Sequence, residues 1–149
     1  MMGLVWSLLG VLAGTFIALQ APINAGLSRG VGFPVAAAAA SFVAGTVVLV
    51  ALALLMSRMH DTPIDWSGPP VWMFFAGGCL GAAYVVSIII LTPKLGTAAT
   101  MAFVVAGQLL AGLTLDKIGA FGLAARELSF GRVAGAILLF AGALLIRLT

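Results

Sequence analysis

Five apolar stretches fill most of this 149-residue chain, and each is about as long as a helix that crosses a lipid bilayer. A helix rises about 1.5 Å per residue, so about 20 apolar residues cross a hydrocarbon core of about 30 Å. The pattern predicts spans over residues 4–27, 34–57, 71–92, 97–115 and 130–148. Charged residues make up only 7% of the chain, against about 25% in an ordinary soluble domain. So short a chain cannot bury that much apolar surface in its own interior, so lipid must act as its solvent. The fold class expected is all-α and integral to a membrane, with residues 1–149 forming a single transmembrane domain.

The punctuation between the stretches agrees with this reading. Ser28, Arg29, Gly30 and Gly32 predict a short turn, and Pro34 suits the first turn of a second helix, where a missing N–H costs nothing. The longest polar stretch, 58–70, holds His60, Asp61, Asp65 and Trp66, and Ser67-Gly68-Pro69 reads as a cap before helix three. Pro93, Lys94 and Gly96 predict a tight turn that makes helices three and four antiparallel neighbours. Residues 116–128 read as an interfacial connector turning at Gly119 and Gly122, with Ser129 as the N-cap of helix five. Trp6, Trp66 and Trp72 fall near predicted boundaries, where indole rings favour headgroups. No Lys or Arg precedes the run from Leu4 to Leu19, which is longer than a secretory h-region and reads as a retained first helix.

In lipid, helices associate by close packing rather than by the hydrophobic effect. Small residues recur at four-residue spacing: Gly10 and Gly14; Ala37, Ser41 and Gly45; Gly77 and Gly81; Gly131 and Gly135. These, with Gly107, are the candidate packing positions. Orientation follows Lys and Arg in short loops. The side holding the N-terminus carries four (Arg58, Lys117, Arg126, Arg132), and the opposite side three (Arg29, Lys94, Arg147). So small a bias, with an odd number of helices, is what a chain that inserts in both orientations would show. Pairing with an inverted copy would give an antiparallel ten-helix dimer, the arrangement of inverted repeats found in many transporters. A fixed orientation with a weak signal is the alternative.

The polar residues within the spans are mostly neutral. None of Asp61, Asp65, Asp116 or Glu127 falls mid-span, so the carboxylate that usually exchanges protons for cations is missing there, and only a boundary acid such as Asp116 could serve. Gln20 and Asn24 share a helix face, and Pro22 between them disturbs pairing of the Ala18 carbonyl. They contact a substrate or tie helices together. Gln108, beside Gly107, is the strongly polar residue of helix four and carries the same two readings. Tyr84 lines a cavity or packs with one hydrogen bond, and Ser41 is a weaker candidate. Lys94 and Arg29 are expected to snorkel to headgroups. The single cysteine, Cys79, allows no internal disulfide and reads as a packing residue. The basic residues are scattered singly, which argues against nucleic acid as a partner. No metal-ligand spacing, phosphate loop or nucleophile–base pattern is present, so neither cofactor nor enzymatic activity is expected.

The stretches QAPINAGL (20–27), SFVAGTVVL (41–49), GGCLGAAYV (77–85), PKLG (93–96) and GQLLAGLTLDKIGAFGL (107–123) occur in order over most of the chain. In this it resembles the YdcZ-like family of the drug/metabolite transporter superfamily, small bacterial inner-membrane proteins. The resemblance implies a five-helix unit working as a ten-helix assembly of inverted halves. Gln20, Asn24, Ser41, Gly77, Gly81, Tyr84, Gly107 and Gln108 match the family pattern, which assigns none of them a role. The small multidrug resistance family is similar in spirit, but typically has four helices and an essential glutamate in the first, which this chain lacks.

The expected function is therefore a dual-topology homodimeric secondary transporter of a small neutral or anionic metabolite. Its partners would be the lipid bilayer, an inverted second copy or a paralogous subunit, and the small-molecule substrate. Two alternatives stay open: a passive channel for a small solute or ion, and a non-transport membrane subunit that needs a partner chain.

Overall fold

The computed structural model describes residues 2–149, and the described residues form five long helices. These are α1 (Met2–Val31), α2 (Pro34–Met59), α3 (Val71–Leu95), α4 (Thr97–Ile118) and α5 (Phe130–Leu148), with a 3-10 turn at Ala120–Gly122 before α5. All five are long and apolar enough to cross a membrane. The chain divides into two compact units at Ile90/Leu91, and each is described by itself.

In the first unit, α1 is longer than the predicted 4–27. Pro22 does not end it, and residues 28–31, expected as a turn, are its last helical turn. The chain reverses at Gly32, whose φ of 87° is open to glycine without a Cβ clash and whose N–H donates to the Ser28 carbonyl (2.9 Å). Phe33 is extended, and Pro34 opens α2 as predicted. The α1–α2 hairpin packs through small side chains: Ala21 and Ala25 on α1, Ala37 and Ala38 on α2, all buried. Ala37 and Ala38 continue into a cluster with Val85 and Ile89 of α3, flanked by Tyr84 and Val86. Alanines here let the backbones approach closely, which is how helices bind one another in lipid. Gly81 does the same for the Phe42 ring, which lies 3.3 Å from where a Cβ would stand.

Asp65 organises the loop between α2 and α3. Its carboxylate accepts from the Ser67 hydroxyl (2.7 Å), the Ser67 N–H (2.8 Å) and the Gly68 N–H (3.2 Å). The Ser67 hydroxyl, then the Ser67 N–H, hold this carboxyl below its ordinary value against a weaker opposing effect of desolvation, with the Gly68 N–H adding least. Ser67 is therefore bound to Asp65 and does not cap α3, which begins later, at Val71. Trp66 packs beside Phe74 with ring centroids 6.5 Å apart.

In the second unit, Pro93 and Lys94 belong to the last turn of α3, so the predicted turn shrinks to Gly96 (φ 82°). The Gly96 carbonyl accepts from both the N–H and the hydroxyl of buried Thr100 (3.1 and 2.8 Å). Helices α4 and α5 pack along their length, with Ala106, Ala136 and Ala143 buried and Phe103 edge-on to Phe140. Gly119 ends α4 in the left-handed conformation. Gly119 and Gly122 both turn at positive φ, as predicted. Ser129 caps α5, its side chain accepting from the Arg132 N–H (3.4 Å).

Candidate functional site

The polar residues singled out in the sequence separate into two groups. In the first unit, Asn24 is 4% exposed, and its Oδ1 accepts a hydrogen bond from the Ser41 hydroxyl at 2.6 Å. The bond joins α1 to α2 beside the alanine contacts. Gln20, one turn earlier, is exposed and does not share this environment. Tyr84 lies half-buried against the Ala37–Ala38 cluster, and its hydroxyl finds no hydrogen-bond partner among the described residues. Cys79, expected to pack, is exposed on α3 because the neighbouring face of the helix, not its own, meets α2.

The second group lies in the second unit. Gln108, Gly112 and Asp116 recur every fourth residue and so share one face of α4. That face meets Gly131, Arg132, Gly135 and Leu139 of α5 across a groove of about 410 Å³. Asp116 was expected to begin the connector, but α4 continues to Ile118, because only at Gly119 can the backbone turn left-handed at little cost. The acid is thereby carried onto the helix. Arg132 sits in the first turn of α5, and its Nη2 donates to Asp116 Oδ2 at 2.6 Å. Its Nη1 donates to the Glu127 carbonyl at 3.5 Å, and the Arg126 N–H donates to the Asp116 carbonyl at 2.8 Å. The connector is thus drawn back onto the ends of both helices.

About a third of each side chain in the Asp116–Arg132 pair remains accessible. An exposed pair of this kind contributes at most about 1 kcal/mol in water. Its chemical interest lies elsewhere: it presents a guanidinium and a carboxylate in a groove that also holds the Gln108 amide, two turns or about 12 Å along α4, and is otherwise walled by leucine and glycine. Such a set can recognise a small molecule by charge and hydrogen bond in a largely apolar setting. No atoms lie within 4 Å of where a Cβ would stand on Gly131 or Gly135, so their lack of side chains keeps the groove open.

A Cβ built on Gly81 would meet the Phe42 ring at 3.3 Å, whereas one built on Gly10, Gly14, Gly45, Gly77, Gly107, Gly131 or Gly135, the other predicted packing glycines, would meet nothing within 4 Å among the described residues. The Asp116–Arg132 pair was not singled out as a site in the sequence. The signal was present in the spacing of Gln108, Gly112 and Asp116, with an arginine one turn into the next helix after a short connector.

Five membrane-length helices, with a largely apolar groove holding an ion pair at one pair of them, define a multi-pass α-helical membrane protein. Residues 5–145 match the family described as "Putative inner membrane exporter, YdcZ", and the chain belongs to this family. It is 41% identical over 75 residues to the inner membrane protein YdcZ of Escherichia coli (strain K12), an alignment covering 50% of each chain. The aligned segment thus spans about half the length of that relative. No solved structure matches. The chain is a multi-pass inner-membrane protein, and its family points to export across that membrane rather than to catalysis.

Proposed function

We propose that the protein is an exporter of a small neutral or anionic metabolite. It works as an antiparallel homodimer of two single-domain copies, inserted in opposite orientations. The observation that carries this reading is the α4–α5 groove, which Gln108 and the Asp116–Arg132 pair both line in an otherwise apolar wall. An arginine already held by a carboxylate can exchange that partner for an anionic group of a substrate, and Gln108 supplies an amide that serves as donor and acceptor. The near balance of basic residues between the two sides supports dual insertion, and the odd helix number supports an inverted pair as the working unit.

Within this reading, Gln108 and Arg132 contact the substrate and Asp116 holds Arg132 between cycles. Asn24 and Ser41 tie α1 to α2, as their hydrogen bond and burial favour. Gln20 and Tyr84 lie outside the groove, and their contact with substrate depends on the second copy.

The test joins topology to transport. C-terminal reporters active only inside or only outside the cell are both expected to give signal. Metabolites accumulating in the medium of expressing cells are compared among wild type, Gln108→Ala and Arg132→Ala at matched membrane abundance. At least one exported compound is expected to fall about tenfold in both variants. Signal from one reporter alone refutes dual insertion, and export unchanged in both variants refutes the site.

A further inference from the structure

The opposite face of the α4–α5 pair carries a second groove, larger and chemically different. It has a volume of about 700 Å³ and runs between Leu110, Thr114 and Lys117 of α4 and Val133, Ile137 and Leu144 of α5. It is open: Ile137 is 64% and Leu110 52% exposed. The Thr114 hydroxyl donates to the Leu110 carbonyl of its own helix (3.0 Å), so its proton is used within α4, and apart from Thr114 and Lys117 the lining side chains are hydrocarbon. Among the described lining residues, Lys117 alone is charged, and it stands at the connector end, in the last turn of α4. Its neighbour Asp116 faces the other groove and is taken by Arg132.

We propose that this groove holds one acyl chain of an anionic phospholipid, with the lipid phosphate on the Lys117 ammonium. Length supports this occupant. From Val133 to Leu144 the α5 wall runs roughly 16 Å at about 1.5 Å per residue. One leaflet contributes about 15 Å, half of a hydrocarbon core of about 30 Å. The groove is therefore as deep as one leaflet's chains, and its single cation lies at the end where a headgroup would be. Charge selects the same occupant. A second copy's helix laid in the groove would cover the ammonium with apolar side chains, whereas a lipid brings an anion to it.

Spin-labelled phosphatidylglycerol and phosphatidylcholine, each carrying the label on the acyl chain, test this with the full chain in phosphatidylcholine vesicles. The fraction of motionally restricted label is read by EPR. Phosphatidylglycerol is expected to be preferred about fivefold, the ratio one basic residue gives at a membrane surface. Lys117→Ala should abolish the preference, and Lys117→Arg should keep it. Ala141→Trp, which fills the groove from α5 and leaves Lys117 in place, should lower the restricted fraction of both lipids. No preference in the wild type, or a preference that survives Lys117→Ala, overturns the proposal. So does oxidative cross-linking between copies of an Ala141→Cys variant made in a Cys79→Ala background, because a second chain would then occupy the groove.

Discussion

The hydrogen bond between Ser41 and Asn24 favours one of the two roles that the sequence leaves open for that asparagine, the tie between helices. Asn24 Oδ1 accepts at 2.6 Å in a residue 4% exposed. Interhelical hydrogen bonds in membrane proteins average about 0.6 kcal/mol and reach about 1.7 kcal/mol. The short distance and the burial place this one in the upper half, at about 1 kcal/mol. Ser41→Ala strands a buried amide oxygen and is expected to cost about 1–2 kcal/mol. Asn24→Ala removes the acceptor and the packing around it, about 2 kcal/mol, but the freed Ser41 hydroxyl can turn back to a carbonyl of its own helix. The double variant should then cost about 1 kcal/mol less than the sum of the two singles. Equilibrium unfolding in micelles gives the three values. Metabolite export at matched abundance, measured alongside, should change little in Ser41→Ala. A coupling below about 0.3 kcal/mol, with export lost in Asn24→Ala at unchanged stability, would refute the structural role and make Asn24 a substrate contact.

Three further outcomes follow from single positions. Gly119→Ala should destabilise by about 1–3 kcal/mol in the same unfolding assay, because φ is +63° and the new methyl would lie 3.1 Å from the Leu123 carbonyl oxygen. Gly81→Leu should cost about 1–3 kcal/mol by driving the Phe42 ring from its 3.3 Å contact, while Gly81→Ala stays within about 1 kcal/mol. The Asp65 carboxyl is held below 3.8, so the order it gives the 65–68 turn is present above that value and is lost as pH falls through the lowered one. The Ser67 and Gly68 amide NMR shifts should therefore stay constant from about pH 5 to 8 and move only in stronger acid, and Asp65→Ala should give the moved positions already at neutral pH.

The helices were legible because hydropathy over about 20 residues is a long signal that no local exception overturns. Pro34, Ser129, Gly119 and Gly122 were legible because each fits a backbone geometry that few residues satisfy. The ends were less so. Residues 28–31 and Pro93-Lys94 look like turn formers, yet each remains in a helix whose reversal is made by one following glycine. A proline does not end a helix when the chain beyond it stays apolar and can keep its hydrogen bonds. The candidate site was half legible. Gln108 stood out as an amide in an apolar span, and its location in a groove is consistent with that. Asp116 and Arg132 were hidden because each reads, alone, as a charge leaving the membrane. Only the packing of α4 on α5 brings them within 2.6 Å.

Cys79, exposed on α3 and the single cysteine of the chain, makes the native protein its own ruler for assembly. Any disulfide between copies must join this position to itself. It lies about four residues before the middle of Val71–Leu95, or about 6 Å along the axis. With α3 centred in the bilayer, two parallel copies hold their thiols at one depth. Two inverted copies hold them about 12 Å apart in depth, beyond the roughly 7 Å between Cα atoms that a disulfide tolerates. Oxidation of the unmodified protein therefore couples parallel neighbours and leaves an antiparallel pair untouched, whereas a flexible dithiol reagent of suitable span joins the inverted pair.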